Sequence, residues 1–157
     1  MRMLNFAAAT LLITFPLLAD DWSRFRGPSG QGVSKSEVPT EWTESNLAWA
    51  TPLPGSGSSS PIVVGNRIFL TCYSGEGTSG KRHLVCSSAD DGKLLWQHTV
   101  DAPRSEDSYR GYLTEHGYAS GTPVSDGKFV YAFFGKAGVV ACTMMGEEVW
   151  RREVGQM

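Results

Sequence analysis

An internal repeat limits this chain more than any other feature. Ser60-Pro61-Ile62-Val63-Val64-Gly65-Asn66-Arg67-Ile68-Phe69 recurs as Thr122-Pro123-Val124-Ser125-Asp126-Gly127-Lys128-Phe129-Val130-Tyr131, at a constant offset of 62. Gly92-Lys93-Leu94-Leu95-Trp96 recurs as Gly146-Glu147-Glu148-Val149-Trp150 at an offset of 54, so the first copy carries about eight extra residues, assigned to Ser74–Arg82. A unit repeated at this length buries its apolar face against its neighbours and not by itself. Trp49 holds the corresponding place ahead of the first copy.

Each copy reads as four strands. The Gly65-Asn66 and Asp126-Gly127 dipeptides suit tight hairpin turns. The second strand, Arg67 to Tyr73 or Lys128 to Phe134, is a run of β-branched and aromatic residues that predicts burial on both faces. A third strand near His83 to Ala89, or Gly138 to Thr143, turns at Asp90-Asp91-Gly92 or Met145-Gly146 into a fourth that carries the Trp. No window outside the N-terminus has a helical apolar period, so helices should be scarce. Four antiparallel strands per repeat, covered on both faces by neighbours, predict an all-β fold of β-propeller blades. The chain holds two blades and one orphan N-terminal strand around Trp49, a partial propeller whose remaining blades are expected from a longer chain or from self-association. Up-down connectivity puts both long connections, Ser74–Arg82 and Asp101–Ser120, on one face, where binding loops gather.

Composition narrows the functional classes. Fourteen Lys and Arg against 16 Asp and Glu give a formal net charge of -2, which lacks the basic excess that a nucleic-acid partner requires. Residues 1–19 place Arg2 before an apolar stretch from Leu4 to Leu18 and end on Ala19, the layout of a secretory signal peptide. Leu17 at the minus-three position leaves an uncleaved anchor as the alternative; after cleavage no membrane span is expected. The expected organisation is 1–19 signal peptide, 20–57 N-terminal arm with the orphan strand, 58–100 first blade, 101–120 interblade loop and 121–157 second blade, in a periplasmic or secreted protein. Cys72, Cys86 and Cys142 are odd in number and sit in apolar runs. They read as buried thiols, with a Cys72–Cys86 bridge as the alternative if their strands pair suitably.

The Ser-Ser-Pro-x-x-x-Gly-Asn-Arg-Ile-Phe pattern at 59–69, followed by Asp90-Asp91-Gly92-Lys93-Leu94-Leu95-Trp96, resembles the pyrroloquinoline-quinone-like β-propeller repeat. That repeat is found in quinoprotein dehydrogenases and in the periplasmic scaffold of outer-membrane protein assembly. The Trp22–Gly32 and Leu113–Pro123 stretches resemble exported bacterial proteins of the same repeat class. Two departures stand out. Ser88 and Thr143 stand near the position of the family's Asp, and Asp91 replaces its Thr. The adjacent cysteines typical of quinone-binding members are absent. The resemblance therefore implies a non-catalytic exported scaffold that binds protein or carbohydrate partners, with no cofactor. The alternative it implies is a quinoprotein-like oxidoreductase with pyrroloquinoline quinone and calcium on the propeller axis.

Individual motifs add little chemistry. Gly75-x-Gly77-x-x-Gly80 matches a dinucleotide pattern, but that motif needs a helix directly behind it, and here it joins two strands. Lys81 and Arg82 beside it are expected to be solvated. The interblade loop gathers Tyr109, Arg110, Tyr112, Glu115 and His116, a candidate contact surface; the simpler reading has Arg110 paired with Glu115 to hold the loop. Trp49, Trp96 and Trp150, with Gly92 and Gly146, read as structural positions that pack blade against blade. No metal or catalytic residue is assigned.

Overall fold

The computed structural model describes residues 21–104, 106, 108 and 110–154. The segment expected to be a signal peptide, residues 1–19, and Tyr109 lie outside the described residues, and the Tyr112 side chain is likewise not described. Two four-stranded antiparallel sheets account for the strands, each with its strands in chain order. The first holds β1 (Ile62–Val64), β2 (Arg67–Ser74), β3 (Lys81–Ser88) and β4 (Leu94–Asp101). The second holds β5 (Val124–Ser125), β6 (Phe129–Phe133), β7 (Val139–Thr143) and β8 (Glu148–Arg152). The single α-helix among the described residues, α1, covers Tyr112–His116 in the connection between the sheets. These are the two blades of a partial propeller.

The pairing explains why the copies differ in length. Eight residue pairs join β2 to β3, from Arg67 opposite Ser88 to Ser74 opposite Lys81, whereas five join β6 to β7. The extra residues of the first copy therefore form three additional rungs, with Cys72 opposite His83, Tyr73 opposite Arg82 and Ser74 opposite Lys81. The expected 74–82 loop shrinks to a turn around a short 3-10 segment at Gly77–Ser79. Extending a hairpin satisfies the backbone groups of both strands, which a surface loop leaves to water. Both blades also carry an irregularity in the pairing of their third and fourth strands at the same place, between Cys86 and Ser87 and between Ala141 and Cys142.

The main core lies between the blades. Across the first sheet one row runs Ile62, Phe69, Cys86 and Trp96, and the first three are fully buried. Against this side pack Val130, Ala132, Phe134, Val140 and Cys142 of the second copy. The most continuously buried strand is β3, not the second strand as its apolar run predicts. Arg82 through Ser87 are all buried, while β2 is buried only at Phe69, Thr71 and Cys72 and half-buried elsewhere. Polar Arg82 and His83 disguise β3 in the sequence.

The N-terminal arm forms no strand around Trp49: residues 47–50 belong to neither sheet. A strand is stabilised by its neighbour's backbone, and among the described residues no strand pairs with 47–50. The arm is nevertheless tied to both blades. Trp22 pairs with Val63 on the free edge of β1, and Ser125 N–H donates to the Ser23 carbonyl at 2.9 Å. Ser56 pairs with Tyr73, and Ser60 N–H donates to Thr122 Oγ1 at 3.3 Å, joining equivalent residues of the two copies.

Cys72, Cys86 and Cys142 are free and buried. Cys86 lies opposite Phe69 and Cys72 opposite His83, three rungs apart, so the Cys72–Cys86 alternative fails on distance. Burial pushes each thiol up to about 11.

Candidate functional site

The extra rungs of the β2–β3 hairpin carry a buried charge pair to the root of the interblade connection. Arg82 is 1% exposed and forms an ion pair through Nη2 with Glu106, itself 7% exposed. The Arg82 guanidinium lies over the Tyr118 ring at 4.3 Å from its centroid. Tyr118 meets Tyr73 edge to face, with ring centres 5.3 Å apart. A guanidinium between a carboxylate and an aromatic face has both its charge and its planar surface matched, which a lysine would not reproduce. Burial lowers the Arg82 pKa from its ordinary value, and the Glu106 charge works against that shift. The expectation that Lys81 and Arg82 are both solvated therefore holds for neither in full. Arg82 is enclosed, and the half-exposed Lys81 bonds to Asp101 across β4. Tyr73, Arg82, Glu106 and Tyr118 thus fix both ends of the connection to the first blade.

On that base stand the exposed groups. Arg110 and Glu115 are exposed, and Glu115 Oε2 lies 3.9 Å from His116 Nε2 on α1. Glu115 is thus placed beside His116. The 75–80 glycines turn a hairpin with no helix behind it, so they offer no dinucleotide site.

A second cluster lies one rung further along the same strands. His83 is buried; its Nε2 is 2.9 Å from Ser74 Oγ, and its Nδ1 is 3.1 Å from Thr99 Oγ1 and 2.9 Å from Gln97 Nε2. With the Gln97 amide as placed, its N–H donates to Nδ1, so the ring proton sits on Nε2 and is donated to Ser74. That polarity does not activate the Ser74 hydroxyl as a nucleophile, because the histidine gives a proton where a general base would take one. Burial, followed by the Arg82 and Lys81 charges, lowers the His83 pKa and keeps the ring neutral.

The tryptophans and turn glycines form one repeated contact. Trp96 Nε1 donates to the Met144 carbonyl at 3.0 Å, and its ring lies so close to Gly146 that a Cβ there would sit 2.7 Å from Cδ2. Trp49 does the same one unit earlier: Nε1 donates to the Ala89 carbonyl at 3.0 Å, and a Cβ at Gly92 would sit 2.4 Å from Cε3. Both glycines have positive φ, +69° and +93°. Trp150 stands on β8 with its ring 6.1 Å from that of Tyr131.

Sequence reasoning singled out the exposed loop and missed Tyr73, Arg82, His83 and Tyr118. A signal existed for two of them. With the turn centred on Gly77–Ser79, counting back along the hairpin sets Tyr73 opposite Arg82, an aromatic–cation pair on one rung. Nothing local marks Tyr118 as the face that Arg82 covers.

Among the described residues no group of three His, Cys, Asp or Glu side chains converges, whereas calcium takes six to eight oxygen ligands. Two acidic side chains at the base of the connection are paired with cations, Glu106 with Arg82 and Asp101 with Lys81.

A family model described as outer membrane protein assembly factor BamB matches residues 23–157. A search of curated proteins found no match.

Proposed function

The chain belongs to the family described as outer membrane protein assembly factor BamB, and on that premise we propose that it is an exported, non-catalytic propeller scaffold. Its role is to bind a protein partner in outer-membrane protein assembly, and its place is the periplasm. Among the described residues no helix is long and apolar enough to cross a membrane.

The observation that carries this reading is the mounting of the interblade connection. A buried ion pair and two tyrosines in edge-to-face contact hold its ends, while Arg110, Glu115 and the half-exposed His116 are displayed outward. A loop fixed at its base loses little entropy on binding, which favours recognition of another protein's polar groups. A protein fits better than a carbohydrate, because Tyr118 is covered by Arg82 and is not available as a flat platform for a sugar ring. The polarity of the Ser74–His83 contact and the protonated thiols favour the absence of catalysis.

Complementation of a deletion strain tests the reading. The unchanged gene should restore outer-membrane β-barrel protein levels. A variant carrying Arg110→Ala, Glu115→Ala and His116→Ala should fail while unfolding at the same temperature. Restoration by that variant sinks the loop as the contact surface; a deletion without effect on β-barrel proteins sinks the role in assembly.

A further inference from the structure

Two neighbouring residues of the N-terminal arm are bonded to two different blades. Trp22 and Val63 exchange both backbone hydrogen bonds at the edge of β1, Trp22 N–H donating at 2.8 Å and Val63 N–H at 3.0 Å. The Ser23 carbonyl accepts from Ser125 N–H of β5 at 2.9 Å. On the other side of Trp22, Asp21 Oδ1 accepts from Gly65 N–H at 2.7 Å, in the turn between β1 and β2. The segment is folded back behind these contacts. Arg24 donates through Nε and Nη2 to the Gly27 and Pro28 carbonyls, and buried Gly27 lies so close to the Trp22 ring that a Cβ would sit 2.7 Å from Cζ3. Arg26 is held at φ +62°, a left-handed conformation that costs a non-glycine residue energy and persists where the surroundings fix it.

We propose that residues 21–27 are a latch that closes only over docked blades. Its strand contacts lie on two separate sheets, so either blade alone offers it part of its bonds. Movement of the blades apart separates Trp22 from Val63 or Ser23 from Ser125. Coupling of this kind is reciprocal: docking favours the closed latch by the same free energy with which the closed latch favours docking. A second tie between the blades is remote from it. Trp96 donates to the Met144 carbonyl of the second copy, and it stands on β4, at the far edge of the first sheet from β1. A disturbance at one tie therefore reaches the other through the relative position of the blades. This inference is independent of the proposed function.

Hydrogen exchange of the full chain, followed by NMR at single amides, tests it. The amides of Trp22, Val63, Gly65 and Ser125 should exchange through one opening and so show similar protection in the unchanged chain. Gly146→Ala crowds Trp96 and touches none of these residues. It should speed exchange at all four by roughly 5- to 150-fold, while the amides paired between β2 and β3 keep their protection. Trp22→Ala takes the ring from Gly27 and leaves the backbone groups in place. It should speed exchange at Ser125 and at the Trp96 indole N–H by a similar factor, and it decides the matter if Gly146→Ala fails to fold or loosens the first blade itself. Unchanged rates at the four amides in folded Gly146→Ala overturn the latch. So does an effect of Trp22→Ala that stops at Val63 and Gly65 and leaves Ser125 and the Trp96 indole as they were.

Discussion

The Arg82 guanidinium rests on the Tyr118 ring, 4.3 Å from its centroid, joining a strand of the first blade to the segment that leads into the second. Glu106 closes the same contact from the side. The blades are thus linked by more than their shared apolar core: the chain between them is anchored to the first through a charge.

Removing one member of this pair leaves the other buried. Arg82→Ala should destabilise the protein by about 3–5 kcal/mol, measured by urea denaturation. Arg82→Met with Glu106→Gln should recover much of that loss, since the uncompensated carboxylate is gone. Equal losses in the single and double variants would show that packing, not charge, carries the effect.

Gly146 has both a positive φ and a tryptophan ring against its hydrogen. Gly146→Ala should cost about 2–4 kcal/mol, the sum of backbone strain and displacement of Trp96. Trp96 fluorescence should shift to the red as the indole becomes wetter. A cost near zero would mean that the blades tolerate a wider spacing than the 3.0 Å Trp96–Met144 bond suggests.

His83 makes the protein sensitive to acid. Its pKa is lowered from the ordinary 6.5 in the folded protein, so below 6.5 the unfolded chain binds the extra proton first. Stability therefore rises with pH up to about that value and levels off above it, with a slope of at most about 1.4 kcal/mol per pH unit from this group. Denaturation midpoints between pH 5 and pH 8 should show this slope, and it should be reduced in His83→Gln. An unchanged slope in His83→Gln would assign the acid sensitivity elsewhere.

The three thiols are buried and held near 11. At pH 8 a thiol-specific reagent should label none of them in the folded protein and all three after denaturation. Rapid labelling of the native protein would contradict their placement in the core.

Much of the fold was legible because its signals are local. Turn dipeptides such as Gly65-Asn66 act through their own backbone angles, and the strands beside them are apolar over a few successive residues. The interblade site was legible only in its exposed half. Arg110, Glu115 and His116 stand out as a polar group on a loop, while Arg82, next to a glycine-rich turn, carries the pattern of a solvated residue. Glu106, 24 positions away, reverses that pattern.

The sequence by itself determined the repeat, the four-strand units, their up-down order and the positions of Trp49, Trp96 and Trp150. Each of these follows from spacing and from turn chemistry between near neighbours. Only the tertiary structure decided how the first copy's extra residues are used, as three added rungs that carry Arg82 to Glu106 and Tyr118. It alone decided as well that Trp49 takes the Gly92 seat without belonging to a strand. The physical reason is shared: burial of a charge or an indole depends on partners tens of residues away, and the free energy of such a contact exists only once both have been brought together.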